Sequence, residues 1–290
     1  PDVQEKNDLC ASVYIIEEQE CTPNDFERSL AFLPLPNKFT GGGYQVMGTE
    51  GNINTNYGNL SLEYNNSGTN LSAFGSGALR DNISGSDNTA VGAYALQSNT
   101  SGNRNTAMGV DALVLSNGSD NTALGYQASQ SQTTGDYNVA LGSKALYSND
   151  ISSSNTAVGY QALYSQAGNS GYTNTGIGRD ALYGNTSGSG NTAVGRSALG
   201  SYSGMTGDGN TAIGEYALYS NSSGQYNVAV GNSALYDNST GDYNTAIGYL
   251  ALSNTTSGNA NIAIGLKSSD LLFGIVKMTK EPIRGNNMRV

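Results

Sequence analysis

The sequence contains no histidine, no tryptophan, only two cysteines and only five prolines among 290 residues. Without histidine, Ser-His-Asp and Cys-His catalytic arrangements are excluded, and the spacing of the two cysteines together with the absence of histidine excludes a CxxC-type metal site. Charged residues make up 12% of the chain, with 23 acids against 13 bases. Because nucleic-acid binding depends on clustered Lys and Arg, no nucleic-acid partner is expected. The longest apolar run, Leu271–Val276, is too short to span a bilayer, so no membrane insertion is expected.

Repetition is the feature that the sequence does have in abundance. The string NTAVGYQALYS at residues 155–165 returns in variants such as NTAIGEYALYS and NVAVGNSALYD. Aligned on its glycine, the motif occurs thirteen times, at steps of 17 residues with one step of 16 and two of 19. A unit of this length has no room for a helix pair, and its glycines and β-branched residues disfavour even one stable helix. The repeat predicts an all-β fold, a parallel β-solenoid (β-roll) of about thirteen coils.

Three segments follow from the extent of the repeat. They are an acidic N-terminal segment, 1–43, the solenoid repeats, 44–265, and a basic C-terminal segment, 266–290. Open solenoid ends expose unpaired strand edges, so we expect the terminal segments either to cap the ends or to pair head to tail between subunits in a filament. Cys10 and Cys21 lie close together in the first segment and are predicted to form a disulfide, with two free thiols as the alternative.

The repeat positions are numbered 1 to 17 here, starting from the Asn of NTAVG. Positions 2 and 4 share one strand face, because successive side chains alternate, and they carry Thr and a large apolar residue. Position 3, on the opposite face, is almost always Ala, which predicts a close approach of another subunit. The alternative is a narrow coil interior with room only for Ala. Positions 6–9, as in YQAL, predict a second strand. The candidate subunit-interface residues are Ala90, Ala107, Ala123, Ala140 and Ala157.

Two columns of identical residues are predicted to run along the stack of coils. Asn recurs at position 1, where side-chain amides one rung apart can bond to each other as a ladder. Gly at position 5 never varies, which is typical of a corner with positive φ or of backbone with no room for a Cβ. The predicted structural ladder comprises Asn88, Asn105, Asn121, Asn138, Asn155, Gly92, Gly109, Gly125, Gly142 and Gly159.

Positions 10–17 are predicted to form an exposed loop, in which the two 19-residue copies carry their insertions. Insertions in repeat proteins gather on one face, often the binding face. The loop is rich in tyrosine, and these side chains are expected either to stack on sugars or a protein partner, or to cover the coil edges. Asn-x-Ser/Thr sequons predict glycosylation. The candidate acceptors are Asn82, Asn99, Asn185, Asn221, Asn238 and Asn254.

No catalytic residue and no cofactor are predicted. Loop acids such as Asp136, Asp208 and Asp242 are scattered singly, which is typical of a soluble surface rather than of paired catalytic carboxylates. The recurring strings GDGN and GDYN leave a Ca²⁺ site as the alternative, although the nonapeptide calcium repeat is missing. The chain is therefore expected not to be an enzyme.

The motifs NTAVG, NVAVG and NIAIG resemble the SVAIG-type repeats in the β-roll heads of trimeric autotransporter adhesins. The longer form NTAxGxxAL resembles repeats of phage tail-fibre-like surface proteins, and the resemblance covers about residues 54–265. It implies three chains packed side by side and binding to a host-surface glycan or protein.

Composition, repeat and resemblance together predict a structural or adhesive protein that is extracellular, on a cell surface or on a virion. Its expected partner is itself, in a homotrimer or a head-to-tail filament, and its expected role is that of a fibre or filament subunit. A receptor-binding tail fibre or adhesin head is the alternative. Ice binding through the Thr column at position 2 is a third reading.

Overall fold

The computed structural model describes residues 45–49, 52–165 and 171–266, with side chains from residue 54 onward. Predictions about Cys10, Cys21 and the terminal segments 1–43 and 267–290 lie outside these residues. Within the described residues, fourteen strands form one sheet in chain order. The strands are β1 (Gln45–Thr49), β2 (Asn52–Tyr57), β3 (Ser72–Phe74), β4 (Thr89–Val91), β5 (Thr106–Met108), β6 (Thr122–Leu124), β7 (Val139–Leu141), β8 (Thr156–Val158), β9 (Thr175–Ile177), β10 (Thr192–Val194), β11 (Thr211–Ile213), β12 (Val228–Val230), β13 (Thr245–Ile247) and β14 (Ile262–Ile264).

The thirteen strands from β2 to β14 are parallel, and each pairs with the next in the register of the repeat. Ala90 lies opposite Ala107, for example, and Val91 lies opposite Met108. β1 pairs antiparallel with β2 at the N-terminal end of the sheet. Consecutive parallel strands are joined by one coil each, so the predicted β-solenoid with its 17-residue spacing is confirmed. At ~4.8 Å per rung, the parallel strands extend over about 60 Å.

The middle residue of each short strand points into the coil. The position 3 residues of β3–β13 are buried and those of β2 and β14 are half-buried, whereas the side chains at positions 2 and 4 are half-buried or exposed. The predicted subunit-interface residues, Ala90, Ala107, Ala123, Ala140 and Ala157, are 0–1% exposed within a single chain. That prediction is wrong, because the small residue is needed where the strand packs on the position 8 alanines and position 9 leucines of its own coils.

The predicted second strand at positions 6–9 is also wrong, since this segment consists of turns. The residues at positions 7 and 9 have positive φ, as in Gln161 at 54° and Leu163 at 52°. Two left-handed residues around one Ala turn the chain so that Ala162 and Leu163 are both buried, which a strand with alternating faces cannot achieve. Left-handed backbone costs a leucine about 1–2 kcal/mol, and full burial of its side chain, about 1.5–3 kcal/mol, offsets that cost.

Backbone hydrogen bonds join each coil to both of its neighbours. The N–H of Leu79 at position 9 donates to the carbonyl of Ala95 in the following coil, at 3.0 Å. The N–H of Gly92 at position 5 donates to the carbonyl of Phe74 in the preceding coil, at 2.7 Å. Because bonds run in both axial directions, the spacing between coils is fixed on the turn side as well as on the strand side.

Candidate binding surfaces

The position 1 asparagines form the predicted ladder inside the solenoid. The Oδ1 of Asn88 accepts the backbone N–H of Asn105 at 2.8 Å, and the Oδ1 of Asn138 accepts that of Asn155 at 2.9 Å. The Nδ2 of Asn88 donates to the carbonyl of Gly102, near the end of the same coil, at 2.7 Å. Each amide therefore closes its own coil and ties it to the next, which is a structural role that leaves no free group for a ligand.

The position 5 glycines form the second predicted column. All thirteen have φ between 128° and 140°, a region that side-chain-bearing residues avoid. A Cβ built on Gly159 would lie 2.6 Å from the carbonyl oxygen of Gly178 in the following coil. Both reasons for an invariant glycine therefore hold at Gly159, and the role of the column is structural.

Five of the six predicted glycosylation sites are buried, so these predictions are wrong for the folded chain. Asn82, Asn99, Asn185, Asn221 and Asn238 are each 0% exposed. The Nδ2 of Asn99, for example, donates to the carbonyl of Gly102 at 3.0 Å and to the Oδ1 of Asn82 at 2.9 Å. A glycan must be attached to that same nitrogen, which is already enclosed. Asn254 is exposed and remains a prediction.

A glycine three residues after the asparagine distinguishes the buried sequons from the exposed one. It occurs in all five, as in Asn99-Thr-Ser-Gly102, and Ser257 takes its place after Asn254. The Oδ1 of Asn99 accepts the N–H of that glycine at 3.0 Å, so the asparagine closes a turn on itself. The string N-x-S/T-G therefore indicates a turn closed by its asparagine. The sequon pattern alone does not distinguish such a turn from a glycosylation site.

The acids of the GDGN and GDYN strings belong to a third ladder at position 16. The Oδ1 of Asp136 accepts the backbone N–H of Ser119 at 2.7 Å, and that of Asp208 accepts the N–H of Ser189 at 2.7 Å. Ser and Asn take the same place in other coils, as the Oγ of Ser153 does for the N–H of Asp136 at 2.9 Å. These carboxylates therefore act as backbone acceptors between coils. In the described part of the chain, three or more His, Cys, Asp or Glu side chains nowhere group as a metal site would require.

The outer face of the parallel strands carries an uninterrupted column of apolar side chains at position 4, beside a column of mostly Thr at position 2. We call the side chains at positions 2 and 4 of β2–β14 the outer stripe. None of its members is charged, and the large residues are well exposed, with Met108 at 44%, Ile177 at 39% and Ile213 at 42%. Position 4 is filled by Tyr57, Phe74, Val91, Met108, Leu124, Leu141, Val158, Ile177, Val194, Ile213, Val230, Ile247 and Ile264, and position 2 by Thr, Ser, Val or Ile.

A second surface is built from tyrosines in six consecutive coils. We call this set the tyrosine column: Tyr147, Tyr164, Tyr183, Tyr202, Tyr219 and Tyr236. The ring centroids of Tyr147 and Tyr164 lie 5.0 Å apart with planes 3° from parallel, and those of Tyr164 and Tyr183 lie 4.9 Å apart at 1°. In these coils the ring faces cover one another, so the faces that a sugar would stack on are already occupied.

The stack changes where the second 19-residue copy inserts its extra residues. Tyr202 is tilted by 49° from Tyr183 and is 60% exposed, and Tyr219 then stacks on Tyr236 at 5.3 Å. Tyr216 meets Tyr219 edge to face at 5.5 Å. Partial desolvation raises the pKa of Tyr183, Tyr202 and Tyr219 above its usual value, and nearby groups, including the carboxylate of Asp180, raise it further. These phenols therefore stay protonated to a higher pH than a free tyrosine does.

Two cations lie over tyrosine rings in this region. The ammonium of Lys144 lies 5.7 Å from the ring centroid of Tyr147 at the start of the tyrosine column, and the guanidinium of Arg196 lies 4.9 Å from that of Tyr216, which is outside the column. Arg196 is also paired with Glu215 of the next coil.

In residues 45–49, 52–165 and 171–266 no helix is long and apolar enough to cross a membrane. Comparison of the chain with protein-family models, curated proteins and solved structures gives no match.

Proposed function

We propose that this chain is a non-enzymatic structural subunit of an extracellular fibre or surface adhesin, and that three copies pack side by side through the outer stripe. The observation that carries the proposal is the stripe itself, with thirteen consecutive rungs of exposed or half-buried aliphatic or aromatic side chains and no charge. The resemblance to adhesin heads supports three as the number of chains. A receptor-binding tail fibre is the same assembly with a different biological setting.

The size of the stripe supports a second copy of this chain as its occupant. Thirteen rungs give a length of about 60 Å, and two side-chain columns a width of about 10 Å, so the stripe covers roughly 600 Å². Position 4 supplies about half of this area as apolar side chains, and the methyl groups of the position 2 threonines add to it, so the apolar part lies within the range of the largest apolar patch on a typical monomer, about 300–600 Å². The whole stripe approaches the about 800 Å² that each partner contributes to a standard interface. The constant rung spacing also lets two stripes match along their whole length.

The other surfaces support presentation rather than chemistry. The asparagine ladder, the glycine column and the position 16 ladder use their polar groups on backbone contacts between coils. Exposed side chains remain in the loops, where Tyr137, Tyr226 and Tyr243 are each more than half exposed. These loops repeat at every rung and are the surface that we assign to contact with a host-surface glycan or protein.

Three lysines placed on the outer stripe test the assembly. In Met108→Lys/Ile177→Lys/Ile247→Lys the substitutions lie at least four rungs apart, so the new charges do not repel one another strongly within a chain. Each buried, unpaired ammonium costs an interface about 2–5 kcal/mol, which predicts at least about 10⁴-fold weaker association. Sedimentation should therefore find three chain masses for the parent protein and one for the variant, with the β-sheet circular dichroism retained.

The matched control adds the same three charges away from the stripe. Ser101→Lys, Thr134→Lys and Ser223→Lys lie at exposed loop positions and should leave the trimer mass unchanged. If the stripe variant keeps the mass of the parent, the stripe is not the interface. If the parent protein and the stripe variant are both monomeric and the variant unfolds more easily, a segment of the same chain covers the stripe, and the proposal fails.

Ice binding is a second candidate, favoured by one observation. Nine threonines at position 2 lie on the outer face of the parallel strands, one rung apart wherever they are consecutive, as Thr89, Thr106 and Thr122 are. An ice-binding face must be open to water, whereas the proposed assembly buries it. Thermal hysteresis decides between them: a gap between the freezing and melting points that disappears in the stripe variant favours ice binding, and its absence rejects it.

A further inference from the structure

The rings of the tyrosine column are stacked closely enough for a covalent bond between adjacent coils to be considered. Tyr147, Tyr164 and Tyr183 occupy three consecutive coils, with centroids 4.9–5.0 Å apart and planes parallel within 3°. The three rings are half-buried, so they contact both the coil surface and solvent. Neighbouring backbone bonds hold them in place, because the N–H of Ser165 donates to the carbonyl of Tyr183 at 3.0 Å.

We propose that this column is a site of oxidative cross-linking, at which tyrosines of adjacent coils are joined as dityrosine. The oxidant is hydrogen peroxide acting through a haem peroxidase, which removes one electron and one proton from each of two phenols. The two phenoxyl radicals form a carbon–carbon bond between ring carbons ortho to the oxygens. Each ring then regains its aromaticity as the hydrogen on that carbon moves to the oxygen. In total, two tyrosines and one peroxide give one dityrosine and two water molecules.

The fixed stack favours coupling between neighbours over other fates of the radicals. Holding two reactants side by side replaces an encounter in solution with a step inside one molecule, which strongly raises the rate. Tyr160 offers the contrast, since it is 48% exposed but faces Ser143 and Arg179 at the same position of the adjacent coils. Exposure alone would favour Tyr160 as the residue that is cross-linked to Tyr183, whereas stacking favours Tyr164.

A cross-link in this column would hold adjacent coils together. The bond between Tyr164 and Tyr183 would close a loop of one coil and restrict the separation of β8 from β9, much as a disulfide restricts the unfolded chain. The inference concerns bonds within one chain, so it does not depend on the proposed side-by-side assembly. It adds to that proposal a means by which an extracellular fibre is hardened by oxidation.

Tryptic fragments of the full chain allow a direct test. Trypsin cleaves after Lys144, Arg179 and Arg196, which places Tyr164 in peptide 145–179 and leaves Tyr183 as the one tyrosine of peptide 180–196. The folded protein is treated with a haem peroxidase and limiting hydrogen peroxide, digested, and analysed by mass spectrometry. We expect the two peptides joined, two hydrogens lighter than their sum, with fragmentation placing the bond at Tyr164 and the blue fluorescence of dityrosine.

Two controls make the test decisive. Tyr164→Phe should lower the yield of the joined peptides at least tenfold, while Tyr160→Phe in the same peptide should leave it unchanged. An equal mixture of ¹⁵N-labelled and unlabelled protein should give joined peptides that are either fully labelled or unlabelled. Joined peptides of mixed label, a bond at Tyr160 or Tyr172, or no joined peptides would each overturn the inference. None of these results would alter the sedimentation test of the outer stripe.

Discussion

Gly214→Ala is expected to lower the free energy of unfolding by at least about 4 kcal/mol, or to prevent the coil from forming, because two separate penalties meet at this position. Gly214 has φ of 132°, which a residue with a Cβ rarely adopts. A Cβ would also lie 2.6 Å from the carbonyl oxygen and 2.7 Å from the carbonyl carbon of Gly231. These are backbone atoms of the next coil, held by the asparagine ladder, so neither can move aside cheaply.

Gly265→Ala is the control that separates the two penalties. Gly265 has nearly the same φ, 134°, but it lies in the last described coil, and a Cβ there would meet none of the described atoms within 4 Å. Only the backbone strain remains, which predicts a loss of about 1–3 kcal/mol. The urea midpoint and hydrogen exchange of amides in the affected coils measure both variants. Equal losses for the two would show that the approach of the next coil does not restrict position 5.

Asn210→Ala is expected to cost about 3–6 kcal/mol, because several buried partners lose their bonds at once. The Oδ1 of Asn210 accepts the N–H of Asn227 at 2.9 Å and its Nδ2–H at 3.0 Å. Its Nδ2 donates to the carbonyl of Gly224 at 2.9 Å and to the Oδ1 of Asn191 at 3.1 Å. The N–H of Asn227 is left without a partner, which costs about 1–3 kcal/mol. The carbonyl of Gly224, the Oδ1 of Asn191 and the Nδ2 of Asn227 each keep one other hydrogen bond, and each lost bond costs about 0.5–1.5 kcal/mol more.

Asn232→Ala supplies the comparison for the ladder. Asn232 is exposed and donates to the carboxylate of Glu215 at 3.3 Å, so its loss should change the free energy of unfolding by less than about 0.5 kcal/mol. Denaturant unfolding of both variants, followed by circular dichroism, checks the difference. A loss at Asn210 as small as that at Asn232 would mean that the ladder is not a main source of stability.

The period, the sheet and two of the columns could be predicted from sequence because identical residues stack on one another in a solenoid. Residues of one column, such as Asn105, Asn121 and Asn138, have the same surroundings in every coil. The same residue type therefore recurs, and its recurrence in the sequence indicates what those surroundings require. The predicted positions of the two 19-residue copies agree with the structure too. Their strands stay in register with the neighbouring strands, as Val158 does with Ile177.

The inner and outer faces could not be assigned correctly from the pattern. Alternation shows that positions 2 and 4 share a face, but it does not show whether that face points inward. A column of Ala suits a narrow interior and a tight interface equally well. The left-handed residues at positions 7 and 9, such as Gln161 and Leu163, decide the matter, because they turn the adjacent alanine and leucine inward to meet position 3. Non-glycine residues carry no clear sequence signal for positive φ.

The stacking of the tyrosine rings could not be predicted from the sequence pattern either. The sequence places Tyr147, Tyr164 and Tyr183 at one loop position, but ring orientation depends on how neighbouring loops pack. The structure orients these rings face to face along the axis, which removes the faces that a sugar would need.

The mass of the unaltered protein in solution tests the central claim most directly. Sedimentation equilibrium over a wide concentration range, with electron microscopy of the same sample, should find discrete particles of three chain masses. In these particles the outer stripes should be buried against one another. A single chain mass at every concentration would contradict the assembly through the outer stripe. So would filaments that grow along the solenoid axis and leave the stripe exposed to solvent.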